Sequence, residues 1–282
     1  MTCFVLARSM TRRVLLSMLA AMALAPQLAL ADLMLYPTRV VLEKNQRTAQ
    51  VDLINNGSEP AIYRISLVNQ RMGEDGQFLG VDTAPLPGEL FANDMVQFSP
   101  RQVTLQPGTS QTVRVMVRKP ADLAGGEYRS HLHFEKMPEA RGANSIEAGK
   151  DKQIGIVLTA LVGASIPVIV RHDVAPASVS LSHLELVKNG TAPMLALQFN
   201  RTGNSSVYGD LAVVFTPHGG VDQVIGRVAG IAVYNPNSLR RAKMALQLAP
   251  GIVLARGALR VAYRERPEAG GALLAEGTLA LP

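Results

Sequence analysis

Residues Ile154 to Val170 read IGIVLTALVGASIPVIV, 17 positions without a charged side chain. As a helix this run would barely span a hydrocarbon core of about 30 Å. Gly155, Gly163 and Pro167 interrupt it, and its many Val and Ile residues crowd a helical turn, so stable membrane insertion is not expected. As a strand, Ile154, Ile156, Leu158, Ala160 and Val162 fall on one face and Val157, Thr159 and Leu161 on the other, which makes both faces apolar. A strand of this kind is either central in a covered sheet or lies at an edge, where its free backbone and second apolar face are a template for another chain. Neither charge nor proline, the usual edge-blunting devices, occurs between residues 154 and 166.

Outward from this run, the dominant pattern is alternation with period two rather than a helical period. Ala49, Val51 and Leu53 alternate with polar residues and stop at the turn-forming Asn55-Asn56-Gly57-Ser58. Ala61, Tyr63, Ile65 and Leu67 share a face, and Gly73-Glu74-Asp75-Gly76 reads as a hairpin turn. Pro107-Gly108 precedes Val113, Val115 and Val117, which alternate with Arg114, Met116 and Arg118. The polar, Ala/Gly-rich stretch Pro138 to Asp151 predicts a long exposed loop, and Arg171 to Pro176 a second break. Alternating runs then resume at Met194–Phe199, Leu211–Phe215, Met244–Leu248, Leu259–Tyr263 and Leu273–Leu281. The expectation is an all-β protein of two immunoglobulin-like β-sandwich domains, 32–172 and 173–282.

The first 31 residues carry Arg8, Arg12 and Arg13, an apolar run from Val14 to Leu24, and Ala29-Leu30-Ala31. That order predicts a cleaved secretory signal peptide over 1–31 and export to the periplasm. The 282 residues carry a formal net charge of +6, which falls to +3 once those three arginines leave. No basic tract is interleaved with aromatic residues, so nucleic-acid binding is not expected. Cys3 is the single cysteine and lies in the expected leader. The exported chain is therefore expected to have no disulfide, no thiolate metal site and no cysteine nucleophile.

No G-x-S-x-G, H-E-x-x-H, phosphate-binding loop or G-x-G-x-x-G motif is present, so no catalytic residues and no cofactor are assigned. The strongest enzymatic pattern is His131-Leu132-His133 with Glu135. On a strand it places two imidazoles and a carboxylate on one face, the basis for an alternative reading as an exported metal-dependent all-β enzyme using His131 and His133. The simpler expectation is a polar, solvated outer face, because Tyr128, Leu132 and Phe134 occupy the opposite parity. A third reading, an adhesin or structural sandwich, would make the chain itself a polymerising subunit.

Three motifs occur in order: Tyr36-Pro37-Thr38-Arg39-Val40-Val41, then Leu105-Gln106-Pro107-Gly108 before Val113-Arg114-Val115, then Glu127-Tyr128-Arg129-Ser130-His131 ahead of the long loop and the apolar strand. In this order the chain resembles, over all of its length after the leader, the PapD-like periplasmic chaperones that assemble pili by the chaperone/usher route. The long loop and the Glu127–His131 segment are similar to the non-classical, archaic or alternative, branches. The resemblance implies an L-shaped pair of sandwiches and a non-enzymatic chaperone. It implies that Ile154, Ile156, Leu158, Ala160 and Val162 form a donor strand that fills the groove of a pilin or fimbrial subunit, which then passes to an outer-membrane usher. It further implies that Arg39 anchors the subunit's C-terminal carboxylate. Pro167 stands where most relatives carry a second basic residue, and Arg129 is the substitute candidate. Glu127, Arg171 and Glu265 would set the angle between the domains; whether a free chain caps its apolar strand by forming a homo-oligomer is left open by the resemblance.

Overall fold

The computed structural model describes residues 32–81, 83–138, 163–189 and 192–282. The predicted leader, most of the long loop and all five donor-strand residues, Ile154, Ile156, Leu158, Ala160 and Val162, lie outside the described residues. Among the described residues the regular structure is β, with one short 3-10 turn at Pro267–Ala269 and no α-helix.

The first eleven strands are β1 (Leu33–Tyr36), β2 (Val40–Leu42), β3 (Thr48–Asn55), β4 (Ala61–Val68), β5 (Gln70–Met72), β6 (Phe78–Gly80), β7 (Val96–Ser99), β8 (Gln102–Leu105), β9 (Ser110–Val117), β10 (Gly126–Lys136) and β11 (Gly163–His172). Nine of them form two facing sheets, ordered β1-β3-β9-β7 and β2-β11-β10-β4-β8, while β5 and β6 pair only with each other. The order is that of an immunoglobulin-like sandwich. Alternation along each strand sends Val51 and Leu53, Tyr63 and Ile65, Val113 and Val115, and Leu132 and Phe134 into one core. Each such side chain is worth about 1.5–3 kcal/mol on full burial. At the start of β10 the Tyr128 hydroxyl donates to the carbonyl of Ala124 at 2.9 Å, the tyrosine corner of this fold.

The remaining strands are β12 (Ser178–Asn189), β13 (Ala192–Thr202), β14 (Val207–Pro217), β15 (Gln223–Val233), β16 (Leu239–Ala245), β17 (Gly257–Arg264) and β18 (Leu273–Leu281). They form sheets β12-β13-β16 and β15-β14-β17-β18 around a second core that includes Leu195, Phe199, Val213, Phe215, Val261 and Tyr263. The protein is thus all-β, with two immunoglobulin-like sandwiches. The alternating run at Met244–Leu248 marks only the end of β16; in its first half Arg241 is exposed, while Arg240 turns inward and donates to the Ala232 carbonyl at 2.7 Å.

A third apolar cluster joins the two sandwiches. Met72 of β5, Ile169 of β11, Ala232 of β15 and Tyr234 are all buried together, with Val41 and Tyr208 packed against them. This joint depends on the parity of β11. Ala164, Ile166, Val168 and Val170 face the first core, whereas Ile169 faces the second sandwich. Being apolar on both faces is therefore required of this stretch of chain.

The expectation of a solvated outer face on β10 is corrected here. Glu127, Arg129 and His131 are all buried, at 3%, 5% and 1% exposure. The β5–β6 hairpin folds over Arg129 and His131 and places the Phe78 ring edge-on against His131, 5.0 Å between centroids, whereas Glu127 is covered by Arg171 and Ser206. Alternation identifies the face that points away from the core, but it carries no information about what another part of the chain lays over that face.

Candidate functional site

A cleft of about 720 Å³ opens where the two sandwiches meet, lined among others by Tyr36, Arg39, Arg171, Ser206, Tyr208 and Arg266. Arg39 immediately precedes β2, so its position is fixed by the pairing of that short strand with β11. Its guanidinium donates to the hydroxyls of Tyr234 at 3.2 Å and Ser206 at 3.1 Å. It also stacks on the rings of Tyr208 and Tyr234, 4.6 and 5.2 Å from their centroids. No carboxylate among the described residues pairs with it. The result is a half-buried cation held by neutral partners that still faces open space.

Arg129 has the opposite environment. It donates to the carbonyl oxygens of Gln70 at 3.2 Å and Asn235 at 3.5 Å, and it stacks on Tyr234 at 4.3 Å and Phe78 at 5.8 Å. Burial lowers its pKa, and the nearby Arg39 adds to that shift, partly offset by Tyr234, Glu127 and Glu89. Arg266 stands on the far wall of the cleft, donating to the Tyr208 hydroxyl at 3.3 Å. Its Nε lies 3.5 Å from Glu268 and 3.9 Å from Asp210. Arg39 and Arg266 therefore share Tyr208, one from each sandwich.

Behind the cleft lies an ionic knot. Arg171, at the end of β11, places Nε 2.8 Å from the Glu127 carboxylate and a terminal nitrogen 2.5 Å from Glu43. The same Glu127 oxygen accepts from the Ser206 backbone N–H and hydroxyl, both at 3.0 Å, and Arg171 donates to the Ser206 carbonyl at 3.1 Å. Burial acts to lower the Arg171 pKa, but Glu127 and Glu43 outweigh it, so the net shift is upward. Glu265 lines the cleft but makes no ion pair among the described residues. The second carboxylate of the knot is Glu43. Its signal in the sequence was only its place one residue after β2, and Ser206, which acts through both its backbone and its hydroxyl, gave none.

The histidines do not converge. Among the described residues both ring nitrogens of His131 lack a hydrogen-bond partner, and burial, helped by Arg129, pushes its pKa down to about 3. His133 Nδ1 meets the Ser165 hydroxyl at 2.9 Å, while Glu135 pairs with Arg64 at 2.8 Å. Among the described residues no group of three His, Cys, Asp or Glu side chains is arranged to hold a metal ion. No described helix is long and apolar enough to cross a membrane.

The edge of β11 completes the geometry. β2 runs parallel to β11 and pairs with it only over Val168–Val170. Upstream, Gly163 to Pro167 pair with β10 on one side, and the other side is unpaired among the described residues. The register Val40↔Val168 puts Arg39 at the point where this open edge ends.

No family profile and no curated protein sequence matches the chain. Among solved structures it is similar to the YadV chaperone, at 15% identity over 89% of this chain and 100% of that one, with a TM-score of 0.45. It is similar to a chain of the CsuC–CsuE chaperone–tip subunit pre-assembly complex from the archaic chaperone-usher Csu pili of Acinetobacter baumannii. That match is at 12% identity over 89% and 98% of the two chains, with a TM-score of 0.42. A third similarity, at 14% identity over 90% and 99% with a TM-score of 0.40, is to the complex of the Salmonella enterica SafA pilin with the SafB chaperone.

Proposed function

We propose that the protein is a non-enzymatic periplasmic chaperone of the PapD-like kind. It lends its apolar strand to pilin or fimbrial subunits and delivers them to an outer-membrane usher. The observation that carries this reading is the edge of β11, open among the described residues, ending at a guanidinium that has no carboxylate partner among them. A guest strand laid along Gly163–Pro167, parallel to β11 as β2 is, would run toward Arg39 and finish there. A terminal carboxylate at that point would meet Arg39 and form charge-assisted, bidentate hydrogen bonds that fix its register. Arg266, sharing Tyr208 with Arg39, is the second cation at the cleft, in place of the residue that Pro167 removes. Arg129 supports Tyr234 from behind rather than reaching the guest.

Upstream, Ile154, Ile156, Leu158, Ala160 and Val162 continue the parity of Ala164, Ile166, Val168 and Val170, the set that fills the first core. They would offer an incomplete sandwich the kind of side chains that complete this one. Each large member is worth about 1.5–3 kcal/mol when buried.

Co-expression with a candidate subunit, followed by co-purification, tests the reading. Wild type should yield a one-to-one complex, and both Leu158→Arg and Arg39→Ala should lose it while remaining folded by circular dichroism. A complex retained by Leu158→Arg would show that the strand is not the guest's partner.

A further inference from the structure

The Gln70–Gly80 hairpin pairs with neither sandwich, yet it is fastened to both. On the first-domain side Arg71 makes a two-pronged pair with the buried Glu89 carboxylate, at 2.6 and 2.9 Å, and Phe78 packs on His131. On the second-domain side the Met72 carbonyl accepts from Asn237 at 2.8 Å and Met72 enters the buried cluster with Ala232 and Tyr234. The Arg241 backbone N–H donates to the Glu74 carbonyl at 2.6 Å, and their side chains form an ion pair. The turn itself is shaped for this contact. Gly76 adopts a φ of +84°, and a Cβ there would collide with the guanidinium of Arg240, which is itself bound to the Ala232 carbonyl at 2.7 Å. The Glu74–Arg241 side chains are exposed and contribute little. The buried apolar contacts and the backbone bonds are what hold the hairpin in place.

The hairpin also reaches the cleft. Phe78 packs on Tyr234 at 5.8 Å, and Tyr234 is the residue whose ring and hydroxyl hold Arg39. We propose that the β5–β6 hairpin is a clasp that fixes the angle between the two sandwiches and thereby positions Arg39, with Phe78 as the positioning residue. The clasp stands on the contacts alone. Its effect on Arg39 rests on the proposed function.

Two measurements on the purified protein separate these parts. The protein is purified without residues 1–31, which hold the single cysteine, Cys3; spin labels are placed at Gln97→Cys and Val221→Cys, one on each sandwich, and their distance distribution is read by double electron–electron resonance. The wild type should give one narrow distribution, and Phe78→Ala and Gly76→Val should each broaden it. A distribution that stays narrow in both variants overturns the clasp. The second measurement compares binding of an acetylated, lysine-capped peptide of alternating threonine and valine, ending in a free carboxylate, with its C-terminal amide. Wild type should prefer the acid by about tenfold or more, the scale of one charge-assisted contact. The ratio should fall toward unity in Arg39→Ala and in Phe78→Ala. Loss of the ratio in Arg39→Ala but not in Phe78→Ala overturns the positioning. Absence of any preference in the wild type overturns the proposed carboxylate anchor, while the distance distributions still decide the clasp.

Discussion

Arg39 and Arg129 stack on the same ring, Tyr234, at 5.2 and 4.3 Å, but only Arg39 keeps a face toward the cleft. Their variants should therefore fail differently. Arg39→Ala removes a half-buried side chain with hydroxyl partners and should cost no more than about 1 kcal/mol of stability while abolishing carboxylate preference. Arg129→Ala leaves a void between Phe78 and Tyr234 and frees two carbonyls, which should cost on the order of 2–3 kcal/mol in urea unfolding. His131 gives a pH-dependent test. Its folded pKa of about 3 lies below the ordinary value near 6.5, so between those values the unfolded chain binds the extra proton. Stability should accordingly fall as pH drops from about 6.5 toward 3, by up to about 1.4 kcal/mol per pH unit from this site. His131→Leu removes two ring nitrogens that have no partner among the described residues. It should be neutral or stabilising by up to about 1 kcal/mol at pH 7 and should flatten that slope. A variant whose stability follows the wild-type pH curve would show that the acid sensitivity lies elsewhere.

β11 shows at the scale of one element how much of this fold was legible from the sequence. The two apolar faces of the run announced that it has work on both sides, and β11 divides as the alternation requires, Ile166, Val168 and Val170 to the core and Ile169 to the neighbouring sandwich. Its edge is equally concrete. In hydrogen exchange of the free chain, alternate amides between Gly163 and Ile166 should exchange quickly while those of Val168 to Val170 stay protected. Uniform protection across the strand would mean that a second copy or another segment covers the edge, and a dependence on protein concentration would identify the second copy. By contrast, the Gly73–Gly76 turn was readable but the destination of its hairpin was not. The contacts that Met72, Glu74 and Gly76 make with Asn237, Arg241 and Arg240 reach more than 150 positions along the chain, and no local pattern encodes such a meeting. The same holds for Glu43, whose pairing with Arg171 exists only once β2 lies beside β11.

At the scale of the whole molecule, the cleft exists only while both sandwiches keep their relation, because Arg39 comes from one and its partners Ser206, Tyr208 and Tyr234 from the other. The knot around Arg171 is the polar part of that joint. Glu127 is 3% exposed and its carboxylate is held by Arg171 and by two donors of Ser206. A buried pair of this kind adds little net stability over an apolar substitute, but removing one partner strands the other charge. Arg171→Met should therefore cost about 3–5 kcal/mol, whereas Glu43→Gln, at a carboxylate 42% exposed, should cost less than about 1 kcal/mol. If the knot couples the domains, the loss in Arg171→Met should fall on their cooperation rather than on either core, since the two cores share no buried side chain. Calorimetry should then resolve one transition in the wild type into two in the variant. A single transition shifted as a whole would instead assign the knot to the stability of the first sandwich and leave the hairpin and the Met72–Tyr234 cluster to hold the interdomain angle.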